Sequence, residues 1–225
     1  MATHLDLEEQ EQLDQLKAFW KQYGNLITWT ITLVLAAFAA WNGWNWYQRD
    51  QAGKAAAMFD ELDKAATAGD ASRAGGIFND MKERFPRTVF TQQGGLLAAK
   101  VQFEKSQPDA AAAILGWVAG NATEAEYQTV ARLRLAGVLA DQKKYDEALK
   151  QLDGASGKEF EALVADRRGD VLLAQGKTED AKAAYTKAWQ AMDAKVEYRR
   201  LIDAKLTSLG AAPPAETAKT AGATK

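Results

Sequence analysis

The chain has 225 residues, 28 of them basic and 30 acidic, with one histidine and no cysteine. Without cysteine there is no thiol nucleophile and no disulfide framework, and the lone His4 leaves no Cys/His zinc site. A net charge of −2 lacks the basic face of a nucleic-acid binder, while about one residue in five is alanine, the best helix former.

In chain order, the first segment, Met1 to Lys21, is acidic, with Asp6, Glu8, Glu9, Glu11 and Asp14 against Lys17 and Lys21. Between Lys21 and Arg49 no residue is charged, and Leu26 to Tyr47 is largely apolar. Those 22 residues at 1.5 Å rise cover about 33 Å, enough for a hydrocarbon core of about 30 Å. Trp20 and Tyr23 mark one edge and Trp41, Trp44, Trp46 and Tyr47 the other, as amphipathic rings do at headgroup level. The pattern predicts an acidic N-tail over 1–24 and a transmembrane helix over 25–48. A buried soluble helix seldom stays uncharged for so long. Ala37-Phe38-Ala39 would suit signal-peptide cleavage, but a signal peptide opens on a short basic stretch, not an acidic one. Lys17 and Lys21 before the span, against Arg49, Lys54 and Lys64 after it, leave the orientation open. Within the span, Thr28, Thr32, Ala36, Ala39, Ala40 and Gly43 recur at helical steps. Such a small-residue stripe lets another helix pack closely, although Ala and Thr also serve as plain filler.

From Arg49 onward the charge is balanced and apolar residues recur at helical spacing. Aligned on one alanine per unit, the chain gives Ala74, Ala110, Ala148 and Ala181, with steps of 36, 38 and 33 residues. A tetratricopeptide repeat has about 34. The last unit carries Gly176, Ala181, Tyr185 and Ala188; the third, Leu135-Ala136, Leu139, Tyr145, Ala148 and Leu152. The second, with Leu97-Ala98, Val101 and Ile114, is looser, and the first keeps Gly69-Asp70, Phe78 and Phe85-Pro86. The predicted fold is all-α: one N-terminal transmembrane helix, then a tetratricopeptide-like α-solenoid of about four helix hairpins with a C-terminal capping helix. The repeat domain is expected over 49–209, with hairpins to about 192 and the cap from about 194. The tail 210–225 has no apolar periodicity and is expected to be disordered.

No phosphate loop, dinucleotide fingerprint, nucleophile elbow or metal-ligand cluster occurs, so no catalytic, cofactor-binding or metal residue is assigned, and no enzyme is expected. Nor is a small-molecule substrate. In the repeat register Val130, Leu133 and Gly137, with Ala140, fall on the inner face of the third hairpin, and Leu163, Asp166, Asp170 and Leu173 on that of the fourth. Gln92, Gly95, Ala99 and Gln102 are their counterparts in the second. This face is the candidate partner-binding groove, suited to an extended chain or a helix. Arg168 stands where the repeat normally buries leucine, so it must snorkel or pair with a carboxylate.

Three stretches carry a closer resemblance: Trp41-Asn42-Gly43-Trp44 to Tyr47, Val130 to Ala136, and Val164-Ala165-Asp166-Arg167-Arg168-Gly169-Asp170-Val171-Leu172-Leu173. With the acidic N-tail before them, they resemble the YfgM-type ancillary subunits of the bacterial Sec translocon over most of the chain. The resemblance implies an inner-membrane protein, N-terminus cytoplasmic and repeats periplasmic. It implies membrane lipid, the SecYEG channel and the membrane-anchored periplasmic chaperone PpiD as partners, and no catalytic residue. The function it implies is that of an adaptor between channel, emerging chains and periplasmic chaperones. A repeat scaffold for envelope assembly or cell division, unrelated to export, is the competing expectation.

Overall fold

The computed structural model describes Leu7–Ala211, so His4 and residues 212–225 of the expected tail lie outside the described residues. Every regular element among the described residues is helical: α1 (Leu7–Thr67), α2 (Ala71–Arg84), α3 (Val89–Glu104), α4 (Pro108–Asn121), α5 (Ala125–Asp141), α6 (Tyr145–Asp153), α7 (Glu161–Ala174), α8 (Thr178–Ala191) and α9 (Tyr198–Ser208), with a short 3₁₀ turn at Lys158–Phe160. The chain divides into two compact units between Gln51 and Ala52.

The first unit is the larger part of α1, and its apolar side chains face outward. Leu26, Trp29, Leu33, Phe38, Trp41 and Trp46 are each 65% exposed or more, whereas the core helix of a soluble protein would bury such residues. The polar groups of the stretch bond within the helix. The Thr28, Thr30 and Thr32 hydroxyls donate to the carbonyls of Gly24, Leu26 and Thr28 at 2.8 Å, and the Asn42 amide to Phe38 at 3.0 Å. A helix meant for lipid needs that arrangement, because hydrocarbon offers no alternative partner.

The second unit stacks four hairpins, the end of α1 with α2, then α3/α4, α5/α6 and α7/α8, and closes with α9. Each hairpin turns through one residue of positive φ: Gly69, Ser106, Lys143 and Gly176, between +58° and +77°. The N–H of that residue donates three residues back, to Ala66, Phe103, Ala140 or Leu173, and the next N–H five back, to Ala65, Gln102, Leu139 or Leu172. Carbonyls that a helix end would leave unpaired are thereby satisfied. The second helix then starts from whatever its sequence offers. Asp70 caps α2 by accepting from the Arg73 N–H at 3.0 Å, Pro108 opens α4, and acidic pairs sit in the first turns of α6 and α8.

Five residues beyond each turn lies an alanine with no exposed surface: Ala74, Ala111, Ala148 and Ala181. The repeat steps are therefore 37, 37 and 33 residues. The expected Ala110 is off by one; it is half-buried beside the true position. Opposite, each first helix from α3 on also offers a small residue, Ala99, Ala136 or Gly169. Contact is close enough that a Cβ on Gly169 would overlap the Tyr185 ring, and one on Gly95 would strike Val118 and Phe78. A continuous core results, from Leu62, Phe78 and Met81 through Leu115, Val118 and Leu135 to Leu152 and Val171. The cap starts four residues later than expected, at Tyr198, because Asp193 first closes a turn by accepting from the Lys195 N–H at 2.8 Å. It buries Ile202 and Leu206 against Ala181, Tyr185 and Ala188.

Candidate interaction surfaces

The six residues of the predicted membrane stripe, Thr28, Thr32, Ala36, Ala39, Ala40 and Gly43, are all exposed on α1. Nothing fills the space at Gly43, where a Cβ would meet no atom within 4 Å. A neighbouring helix could therefore reach the backbone there.

The fourth hairpin places its charges differently from an open groove. Asp166 is 3% exposed, and α9 covers it. Lys205 of α9 donates to both Asp166 oxygens at 2.8 and 2.9 Å and to Asp170 at 2.6 Å. The Tyr198 hydroxyl donates to Asp166 and the Tyr185 hydroxyl to Asp170, each at 2.8 Å. Burial, and then these carboxylates, raise both phenols: Tyr185 well above its usual range and Tyr198 to about 12. The network latches the cap onto the last hairpin, and Asp166 is corrected from a groove residue to a structural one. Arg168 pairs with Asp153 at the end of α6, at 2.6 Å, with 34% of its side chain exposed. The carboxylate alternative therefore holds, and the pair ties α7 to the preceding hairpin.

A groove of about 480 Å³ does lie along the first helices of the hairpins, but it is turned by about one residue from the expected face. Its walls are Ala99, Lys100 and Phe103 of α3, Arg134, Gly137, Val138 and Asp141 of α5, and Arg167 of α7, over Leu115. Of the predicted face only Gly137 and, from the second hairpin, Ala99 line it. Val130 and Leu133 are half-buried against the core, Leu163 is half-buried, Asp170 is held by Lys205, and Leu173 is 39% exposed outside the groove. Gln92, Gly95 and Gln102 are buried, with Gln102 donating to the Ala71 carbonyl at 2.9 Å. Their displacement follows from the one-residue error at Ala110, since one residue turns a helix by about 100°.

Sequence reasoning missed Arg134, Arg167, Phe103 and Lys205. The first two carried a usable signal, because 134 and 167 are 33 apart and so occupy one place in successive repeats. Lys205 carried none, lying 39 residues from Asp166 on a helix outside the repeat pattern.

Comparison with known proteins agrees with this architecture. A family model described as a tetratricopeptide repeat-like domain matches residues 17–211. A protein of Neisseria gonorrhoeae named ancillary SecYEG translocon subunit is 33% identical over 93% of this chain and all of its own length. Proteins of the same name from Escherichia coli and Haemophilus influenzae are 30% and 27% identical, over 79% and 82% of this chain and 85% and 90% of their own. A helix long and apolar enough to cross a membrane, a stack of tetratricopeptide-like hairpins and near full-length similarity converge: the chain belongs to the tetratricopeptide repeat-like family of ancillary SecYEG translocon subunits.

Proposed function

We propose that this protein is a non-enzymatic adaptor, anchored in the inner membrane, that associates with the Sec translocon. Its repeats stand in the periplasm and its N-terminus in the cytoplasm, and the repeats link the SecYEG channel and emerging secreted chains to periplasmic chaperones, PpiD among them. The Thr28-to-Gly43 stripe packs on a channel helix, and the inner face around Gly137 meets a protein partner. The observation that carries this reading is an outward-facing apolar helix joined to a repeat stack in a chain 33% identical, nearly end to end, to a named translocon subunit. Tethering by the span raises the local concentration of the repeats beside whatever the span binds, which is what an adaptor requires.

Co-purification of the intact protein from inner membranes in mild detergent, with partners identified by mass spectrometry, tests the assignment. Recovery of SecYEG with a periplasmic chaperone supports it. Recovery of division or cell-wall proteins without the channel overturns it in favour of an envelope scaffold. The absence of cysteine gives a clean test of orientation. A Ser156→Cys variant should react with a membrane-impermeant maleimide added to spheroplasts, whereas labelling only after lysis would reverse the topology.

A further inference from the structure

The groove between α3, α5 and α7 has a charge that its architecture does not require. Three of its wall residues are cationic, Lys100, Arg134 and Arg167, and one, Asp141, is anionic. Lys100 reaches Glu104 on its own helix at 3.8 Å, with both side chains about 60% exposed, a weak surface pair. Arg134 donates to a neutral group, the Leu96 carbonyl, at 3.2 Å, and no ion pair joins it to a carboxylate among the described residues. Arg167 lies 3.6 Å from Asp170, but the other oxygen of that carboxylate already accepts from Lys205 at 2.6 Å and from Tyr185. Two guanidiniums on successive hairpins therefore face one groove, Arg134 without an ion pair among the described residues and Arg167 sharing Asp170 with Lys205.

The rest of the groove is apolar and open. Phe103 is 42% exposed, Ala99, Val138 and Leu115 form the floor, and Gly137 adds no side chain. A Cβ at Gly137 would stand 3.5 Å from the Arg167 guanidinium, in ordinary contact, so that cation lies beside bare backbone in the groove.

We propose that this groove docks an extended polypeptide segment carrying both carboxylate and apolar side chains. Arg134 and Arg167 take its carboxylates, and an apolar side chain rests on Phe103 over Gly137. Guanidinium forks match carboxylates in charge and in paired geometry, and the apolar floor supplies the contact area that an ion pair alone lacks. This concerns the chemistry of the occupant and holds whether or not the span meets the export channel.

The test uses the full-length chain in zwitterionic lipid nanodiscs. The probe is a fluorescent peptide of about ten residues built from glutamate, leucine and alanine, and the control replaces each glutamate by lysine. The acidic peptide should bind and weaken as salt rises, while the lysine peptide should not bind. Arg134→Gln with Arg167→Gln should weaken binding by about tenfold or more and flatten the salt dependence. The paired lysine variants, Arg134→Lys with Arg167→Lys, should keep part of it. Gly137→Leu, which fills the groove and leaves every charge in place, should block it, and this variant decides the matter if the arginine variants unfold. Failure of the acidic peptide to bind the wild type, equal binding of both peptides, or unchanged binding by the Gly137→Leu variant overturns the proposal. So does displacement of the peptide by phosphatidylglycerol vesicles but not by unlabelled peptide, which would make the groove a lipid headgroup site.

Discussion

The third and fourth hairpins share one backbone plan, 33 residues apart, and each holds the next element of the chain by opposite means. Where α5 has Leu133, Leu135, Ala136 and Gly137, α7 has Asp166, Arg168, Gly169 and Asp170; where α6 has Leu152, α8 has Tyr185. The third hairpin is succeeded by another full hairpin and meets it mainly through apolar surface, with the half-exposed Arg168–Asp153 pair beside it. The fourth meets only α9, and there the contact runs through Lys205, Tyr185 and Tyr198 around a buried carboxylate. Stacking hairpins thus need shared geometry at the turns and the small residues, while the chemistry between them can be exchanged. Polar chemistry at the last position also limits what can attach there, since only a helix carrying a cation at the right place satisfies Asp166.

The largest effect should come from removing that cation. Lys205→Ala leaves Asp166 buried without its partner and should cost about 3 kcal/mol, read from urea unfolding of the protein in detergent. Copying the apolar chemistry instead, with Asp166→Leu, Asp170→Gly and Lys205→Leu together, should return stability to within about 2 kcal/mol of wild type or above it. If the triple variant is no better than Lys205→Ala, the two chemistries are not interchangeable. Next come the small residues. Gly169→Ala drives a methyl group into the Tyr185 ring and should destabilise by about 1–3 kcal/mol, although the same alanine is native at position 136.

The phenols give the fourth hairpin a pH signature. Tyr198 keeps its proton to about 12 in the folded chain, whereas the unfolded chain releases it near its usual 10.0. Its contribution is whole below the lower value and is lost as pH rises toward the upper one, because the unfolded state gives up the proton first. Thermal melts of Tyr198→Phe should therefore fall less steeply than wild type over that alkaline window, and parallel slopes would remove Tyr198 from the latch. The smallest effect is expected at Arg168→Ala. It breaks a half-exposed pair with Asp153 and removes a packed aliphatic stem, for about 1 kcal/mol in the same unfolding assay.

The span and the repeat architecture were legible because each rests on a pattern running through many residues: an uncharged stretch bounded by aromatics, and alanines returning at helical-hairpin spacing. The second unit slipped by one residue for a physical reason. Ala110 to Ala113 are four alanines in a row, so composition cannot choose among them, and the turn that fixes the register passes through Ser106, not glycine. Gly69 and Gly176 announce their turns; Ser106 and Lys143 adopt the same left-handed backbone without announcing it. The groove inherited that error and added another, since which stripe of a helix stays open depends on how neighbouring hairpins pack across it. Lys205 was beyond reach, because a contact between α7 and a helix outside the repeat leaves no periodic trace.

A ribosome delivers this chain from its N-terminus, so α7 exists before the helix that completes it. Until Lys205 has been made, Asp166 and Asp170 are two carboxylates four residues apart on one helix, with no cation from α9 to hold them. Arrival of α9 supplies that cation and buries Ile202 and Leu206 against the hairpin. The buried carboxylate thus couples the last hairpin to the helix made after it: a chain cut before Lys205 lacks the cation that Asp166 and Asp170 share.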